Sequence, residues 1–220
     1  MDKTTEKQAK PEHQARRSRP GKKKSRQEKA RPQRCFFGLA FPLHTALADL
    51  QTDLQELAGS DGELRISPAA NLHVTLKFLG SIEKQGLTEI ELLARSICAR
   101  YSPLTLQCQG IGMFKNSLWV GIRQDETLQE MAAQFDLAAQ GVGIAREVKG
   151  YLPHVTVARF RPGERDRLKP LLEKYADRNW GQFECLQVHL YLSETLPEGA
   201  RYSILHSFPL QNDSATDHKD

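Results

Sequence analysis

Apolar residues begin to recur in a regular way only at Cys35. The run Cys35 to Phe41, bounded by Arg34 and Pro42, predicts a buried strand. From Pro42 to Ala58, Leu43, Leu47, Leu50, Leu54 and Leu57 recur at three- and four-residue steps behind a first-turn proline, the pattern of an amphipathic helix. Asn71 to Leu79 alternates as a strand, and Thr88 to Arg100 has helical spacing through Ile90, Leu93 and Ile97. Leu104 to Gln109 and Leu118 to Ile122 predict strands separated by a turn region at Gly110-Ile111-Gly112. A helix over Leu128 to Ala139 follows, then an alternating strand from His154 to Phe160. Arg165 to Tyr175 predicts a short helix, Phe183 to Leu192 and Tyr202 to Leu210 predict closing strands, and Gln211 to Asp220 reads as a polar, frayed tail. Strands interleaved with about four helices indicate an α+β or mixed-sheet fold, and no G-x-G-x-x-G or Walker pattern offers a phosphate-cradling loop. Phosphate chemistry in such a chain has to come from side chains.

Charge divides the chain in a way the total conceals. Residues 1–34 hold 13 Lys and Arg against 4 Asp and Glu, a net of +9, so the remainder carries 18 − 23 = −5 of the overall +4. The expected organisation is therefore a disordered basic arm over 1–33, one domain over 34–210 and a disordered polar tail over 211–220. Such an arm is a candidate electrostatic tether for nucleic acid, or equally a solubilising tail. No apolar stretch reaches the length of a membrane span, and no apolar signal core follows the basic N-terminus. Cys35, Cys98, Cys108 and Cys185 are irregularly spaced, as reduced thiols of a cytoplasmic protein would be. Nothing signals a dimer, so the expectation is a monomer.

One short pattern occurs twice, as Leu72-His73-Val74-Thr75-Leu76-Lys77-Phe78 and as Pro153-His154-Val155-Thr156-Val157-Ala158-Arg159-Phe160, 81 positions apart. With 7 His and 11 Thr in 220 residues, chance supplies about 0.35 occurrences of H-x-T, so two with matching apolar flanks point to two related lobes. Residues two apart on a strand share a face, which sends His73 with Thr75, and His154 with Thr156, to one side while Val74 and Leu76 pack inward. If the two strands lie side by side about an approximate two-fold, two imidazoles and two hydroxyls converge. One imidazole then takes a proton from a nucleophile while the other gives one to a leaving oxygen. The threonine hydroxyls are suited to holding non-bridging phosphate oxygens. Zinc is disfavoured because no His, Cys, Asp or Glu lies beside either motif at ligand spacing, and no nucleophile elbow suggests covalent catalysis.

These paired motifs, together with Asn71-Leu72, Pro153, the opening Cys35-to-Phe41 strand, Gly110 to Phe114 and Leu190 to Glu194, resemble the 2H phosphoesterase superfamily. The likeness is to its RNA 2′,3′-cyclic phosphodiesterases, also called 2′-5′ RNA ligases, and it runs from about Arg34 to Leu210. The resemblance implies a bilobal α+β fold of two pseudo-symmetric halves, each with an antiparallel or mixed sheet and helices, and an active-site cleft between them. It implies hydrolysis of RNA 2′,3′-cyclic phosphate ends, or of small cyclic nucleotides, to 2′-phosphomonoesters without a metal or other cofactor. By position, His73 becomes the proton donor and His154 the acceptor, while Thr75, Thr156 and Arg159 bind the phosphate. Ligation is implied as the same exchange with a 5′-hydroxyl replacing water.

Two features test that transfer. Strict alternation places Arg159 on the face opposite His154, so its role requires a bulge or a strand end. Lys77 is expected on the face of His73, at a solvent-facing rim. Phe41, Tyr151 and Phe160 are candidates for base stacking but read better as packing residues, and His13, His44, His189, His206 and His218 are assigned no function. The alternatives are a non-catalytic nucleotide or RNA-binding module, which would not need both imidazoles, and a phosphodiesterase of the same superfamily for another cyclic or 2′-5′ nucleotide.

Overall fold

The computed structural model describes residues 33–59, 63–197 and 199–211, together with Met1. Residues 2–32 of the expected arm and 212–220 of the expected tail lie outside the described residues, as do 60–62 and 198. Among the described residues nine strands form one sheet: β1 (Gln33–Ala40), β2 (Leu64–Ile66), β3 (His73–Ile82), β4 (Leu104–Met113), β5 (Ser117–Ile122), β6 (His154–Phe160), β7 (Asn179–Cys185), β8 (Gln187–Leu196) and β9 (Gly199–Pro209). Their order is β7-β4-β5-β6-β3-β1-β8-β9, with β2 added to β6, and every pairing is antiparallel. The helices are α1 (Ala48–Leu57), α2 (Lys84–Cys98), α3 (Glu126–Gly141) and α4 (Lys169–Lys174). Helices α2 and α3 pack together, α3 against β3 and α2 against β9. On the other half, α1 packs on β2 and α4 on β4, and Asp53 of α1 takes hydrogen bonds from Lys174 and Tyr175 at the end of α4.

The halves meet at the centre of the sheet, where β3 and β6 share the single bridge Val74 with Val155. Each half repeats the other at the 81-residue offset of the H-x-T motifs. Gly38 faces Thr75 as Trp119 faces Thr156, Phe37 faces Lys77 as Leu118 faces Ala158, and Phe36 faces Phe78 as Ser117 faces Arg159. The bonds from Phe41 N to Leu72 O and from Ile122 N to Pro153 O, both 3.1 Å, obey the same offset. The α+β, two-halved expectation is met by a single continuous sheet whose two halves are related about its middle.

Several elements depart from the sequence reading, each for a local reason. The stretch from Pro42 opens as a 3-10 turn over His44–Leu47 and becomes α-helical only at Ala48, because neither N-terminal cap residue, both leucines, offers a side-chain acceptor. Helix α3 begins two residues early because the Asp125 carboxylate accepts from Leu128 N at 2.8 Å. Gly110-Ile111-Gly112 is not a turn: β4 runs through it to Met113, bulging between Gln109 and Ile111. Those glycines make room instead, since a Cβ at Gly110 would come 2.8 Å from Ala176 O and one at Gly112 within 2.1 Å of the Trp119 ring. Phe183 to Leu192 is two strands, with β7 at one edge of the sheet and β8 near the other. The buried phase slips at exposed Leu186, from Phe183 and Cys185 to Val188 and Leu190. Strand β2 is only three residues long and left no periodic signal.

The register of β3 moves from Gly38 opposite Thr75 to Phe37 opposite Lys77, leaving Leu76 as an extra residue. In β6 it moves from Trp119 opposite Thr156 to Leu118 opposite Ala158, leaving Val157 extra. Each bulge reverses the facing of the residues that follow it, in β3 as far as a second register shift at Leu79. Lys77, expected at the rim on the face of His73, is instead 2% exposed and turned toward α3, where Nζ lies 2.8 Å from Asp136 Oδ1 and donates to Ala145 O at 2.8 Å. That corrects the rim-lysine expectation: a one-residue bulge overrides the period-2 rule.

Candidate active site

His73 and His154 begin β3 and β6, on either side of the Val74–Val155 bridge. Continuing that antiparallel register sets His73 across from Thr156 and Thr75 across from His154, so imidazoles and hydroxyls alternate around one point. The two rings are held in the same way: His73 Nδ1 lies 2.7 Å from Asn71 O and His154 Nδ1 lies 2.7 Å from Leu152 O. A carbonyl oxygen only accepts, so each Nδ1 carries the hydrogen and Nε2 is the nitrogen left to exchange a proton. Asn71 is itself fixed, its amide donating to Ala200 O at 2.7 Å.

Arg159 joins the site through the Val157 bulge, which restores it to the face of His154 and Thr156, exposed among buried neighbours. Its charge acts on both histidines. Burial, then the nearby His154 and Arg159 charges, bring the His73 pKa down to about 4 despite its bond to Asn71. Burial and Arg159 likewise lower the His154 pKa against the opposing Leu152 bond. With the cleft empty, both imidazoles are neutral near pH 7, which suits a base. The imidazolium that an acid requires is favoured only when an anion enters and offsets Arg159.

The walls differ between the halves. His73 packs on Phe36 at 4.6 Å, against the edge of Tyr202 at 5.1 Å and beside the tilted Tyr191 ring at 5.8 Å, whereas His154 meets Phe114 at 5.0 Å and Trp119 at 5.9 Å. At the offset of 81, the partner of Arg159 is Phe78, which is 58% exposed. Beside it lies a cavity of about 450 Å³ lined by Thr75, Phe78, Phe114, Tyr151 and His154 and floored by α3. Phe78 and Phe114 were missed in the sequence; the offset from Arg159 was the available signal for Phe78. Of the stacking candidates, Phe41 and Phe160 are core residues, while Tyr151 lines the cavity and donates from its hydroxyl to Thr75 O at 3.1 Å. His189 is buried with Nδ1 2.8 Å from Ser207 Oγ, and His206 pairs with Glu91. Burial pushes the thiols up, Cys35 to about 11 and the other three to about 12, which leaves them poor nucleophiles. Among the described residues no helix is long and apolar enough to cross a membrane.

Residues 41–196 match the model of the 2′-5′ RNA ligase superfamily. The chain belongs to that superfamily. Its curated relatives include the RNA 2′,3′-cyclic phosphodiesterase of Methanothermobacter thermautotrophicus, 30% identical over 78% of this chain and 97% of that protein. Another, of the same name, comes from Methanocaldococcus jannaschii and is 32% identical over 64% of this chain and 82% of that protein. Among solved structures, a phosphoesterase superposes with a TM-score of 0.65 at 24% identity, covering 82% of this chain and 99% of that one. E. coli LigT in its apo form superposes with 0.63 at 23%, covering 83% and 99%, and these two establish the shared fold. As a member of the 2′-5′ RNA ligase superfamily, the chain is an enzyme of the 2H phosphoesterase kind, as the paired H-x-T strands led one to expect.

Proposed function

We propose that the chain hydrolyses the 2′,3′-cyclic phosphate at RNA ends, or of small cyclic nucleotides, to the 2′-phosphomonoester, with no metal in the chemical step. His154 Nε2 takes a proton from water as the water oxygen attacks phosphorus; the bond from phosphorus to the 3′ oxygen breaks, and His73 gives that oxygen its proton. Thr75, Thr156 and Arg159 hold the non-bridging oxygens, where charge is greatest. The nucleobase lies over Phe78 in the adjoining cavity. With a 5′-hydroxyl in place of water, the same exchange yields a 2′-5′ linkage. The observation that carries this reading is the return of Arg159, through the Val157 bulge, to the face shared by both histidines and both threonines. The relatives named RNA 2′,3′-cyclic phosphodiesterase support the choice of substrate.

The test is incubation of an RNA ending in a 2′,3′-cyclic phosphate with the whole chain in EDTA, followed by end-group analysis. A 2′-phosphate product is expected; a 3′-phosphate product, or turnover only with added metal, would overturn the reading. The arm belongs to the same proposal, as an RNA tether of a cytoplasmic monomer. Deleting residues 1–32 should weaken RNA binding at low salt and flatten its salt dependence, while hydrolysis of adenosine 2′,3′-cyclic phosphate is unchanged. Equal loss on both would place the arm within the catalytic fold.

A further inference from the structure

The two halves treat one equivalent segment differently, and the difference creates the cavity beside His154. In the first half, residues 63–67 pair with β6 by backbone: Ile66 lies opposite Ala158, Arg161 N donates to Glu63 O at 3.0 Å and Ser67 N to Val157 O at 2.8 Å. The segment 81 residues on, 144–148, has no such ladder with β3 among the described residues. It is held at arm's length by side chains. Where β6 has Ala158, small enough for β2 to pair directly, β3 has Lys77, whose Nζ reaches the carbonyl of Ala145 at 2.8 Å. The same ammonium pairs with Asp136 of α3 at 2.8 Å, and that carboxylate accepts from Arg146 Nε and from Glu147 N, both at 2.9 Å. Burial alone would raise the Asp136 pKa, but these donors overcome it and bring it to about 2, so the carboxylate is ionised whenever the protein is folded near neutral pH.

From this clamp the chain runs through Lys149, Gly150 and Tyr151 along the cavity wall to Leu152, whose carbonyl holds the His154 ring. Lys77, Asp136, Arg146 and Glu147 all border the cavity. We infer that Lys77 and Asp136 are positioning residues that hold residues 145–147 away from β3, and so keep open the nucleoside subsite of the phosphodiester cleft. The inference rests on the reading of that cavity given under Proposed function. A buried lysine in place of alanine is what turns a strand pairing in one half into a recognition pocket in the other.

The test is calorimetric binding of two probes to the full-length chain, inorganic phosphate and adenosine 2′-monophosphate, so that it does not depend on turnover. Lys77→Met should weaken the nucleotide roughly tenfold or more and leave phosphate affinity within about twofold. Where hydrolysis is measured, the loss should fall on KM with kcat nearly unchanged. Ala133→Trp, at an exposed position of α3 bordering the cavity, fills the space with Lys77 and Asp136 unsubstituted and should produce the same selective loss. Equal weakening of both probes by Lys77→Met in a folded protein would make the clamp merely structural and overturn the inference. So would nucleotide affinity unchanged in Ala133→Trp, which overturns it even if Lys77→Met does not fold. Failure of the phosphodiesterase reading would appear separately, as absent hydrolysis by the unsubstituted chain.

Discussion

Replacing either His73 or His154 with alanine is expected to lower kcat on adenosine 2′,3′-cyclic phosphate by roughly 10²- to 10⁴-fold, the usual contribution of a positioned general acid or base. The effect should lie in kcat because Thr75, Thr156 and Arg159 still hold the phosphate. Replacing both should cost little more than replacing one, since the two proton transfers belong to a single displacement. Steady-state rates decide this, with thermal melts confirming that each variant folds. Both rings are half-buried at the start of a strand and bond only a backbone carbonyl, so each loss leaves one backbone carbonyl to be rehydrated and breaks no ion pair. A variant retaining more than about a tenth of the rate would remove that histidine from the chemistry.

Arg159→Met should lower kcat/KM by roughly 10- to 100-fold, the value of one hydrogen bond to a charged group. It should also move the pH profile. In the unliganded protein the guanidinium disfavours both imidazolium ions, so its removal raises both histidine pKa values. The profile of kcat/KM reports the free enzyme, and its limbs should therefore shift to higher pH in Arg159→Met, with Arg159→Lys falling between. Loss of activity at an unmoved profile would mean that Arg159 acts at a distance from the imidazoles.

Much of this site was legible in the sequence because a strand of period two places residues without knowledge of its partners. His73 with Thr75, and His154 with Thr156, needed only that rule and the repeat. What alternation could not supply were the bulges at Leu76 and Val157, which arise from pairing with β1 and β5 and have no local signature. One of them hid Lys77 in the interior, and the other returned Arg159 to the cleft. Phe78 was overlooked for the same reason, since its facing follows from the bulge in β3. Gly110 and Gly112 were misread because a glycine that signals a turn locally can instead make room for a partner, here Ala176 and Trp119. The division of Phe183 to Leu192 between the two ends of the sheet depended on a phase slip at a single exposed leucine.

A phosphate gripped between two imidazoles is tested most directly by an NMR titration of His73 and His154 in the free protein and with adenosine 2′-monophosphate, assigned through the alanine variants. Both should titrate below the ordinary histidine range when free, His73 at about 4, and both should rise together when the dianion binds, so that binding takes up protons and strengthens as pH falls. Histidines that titrate identically with and without the bound nucleotide would contradict it.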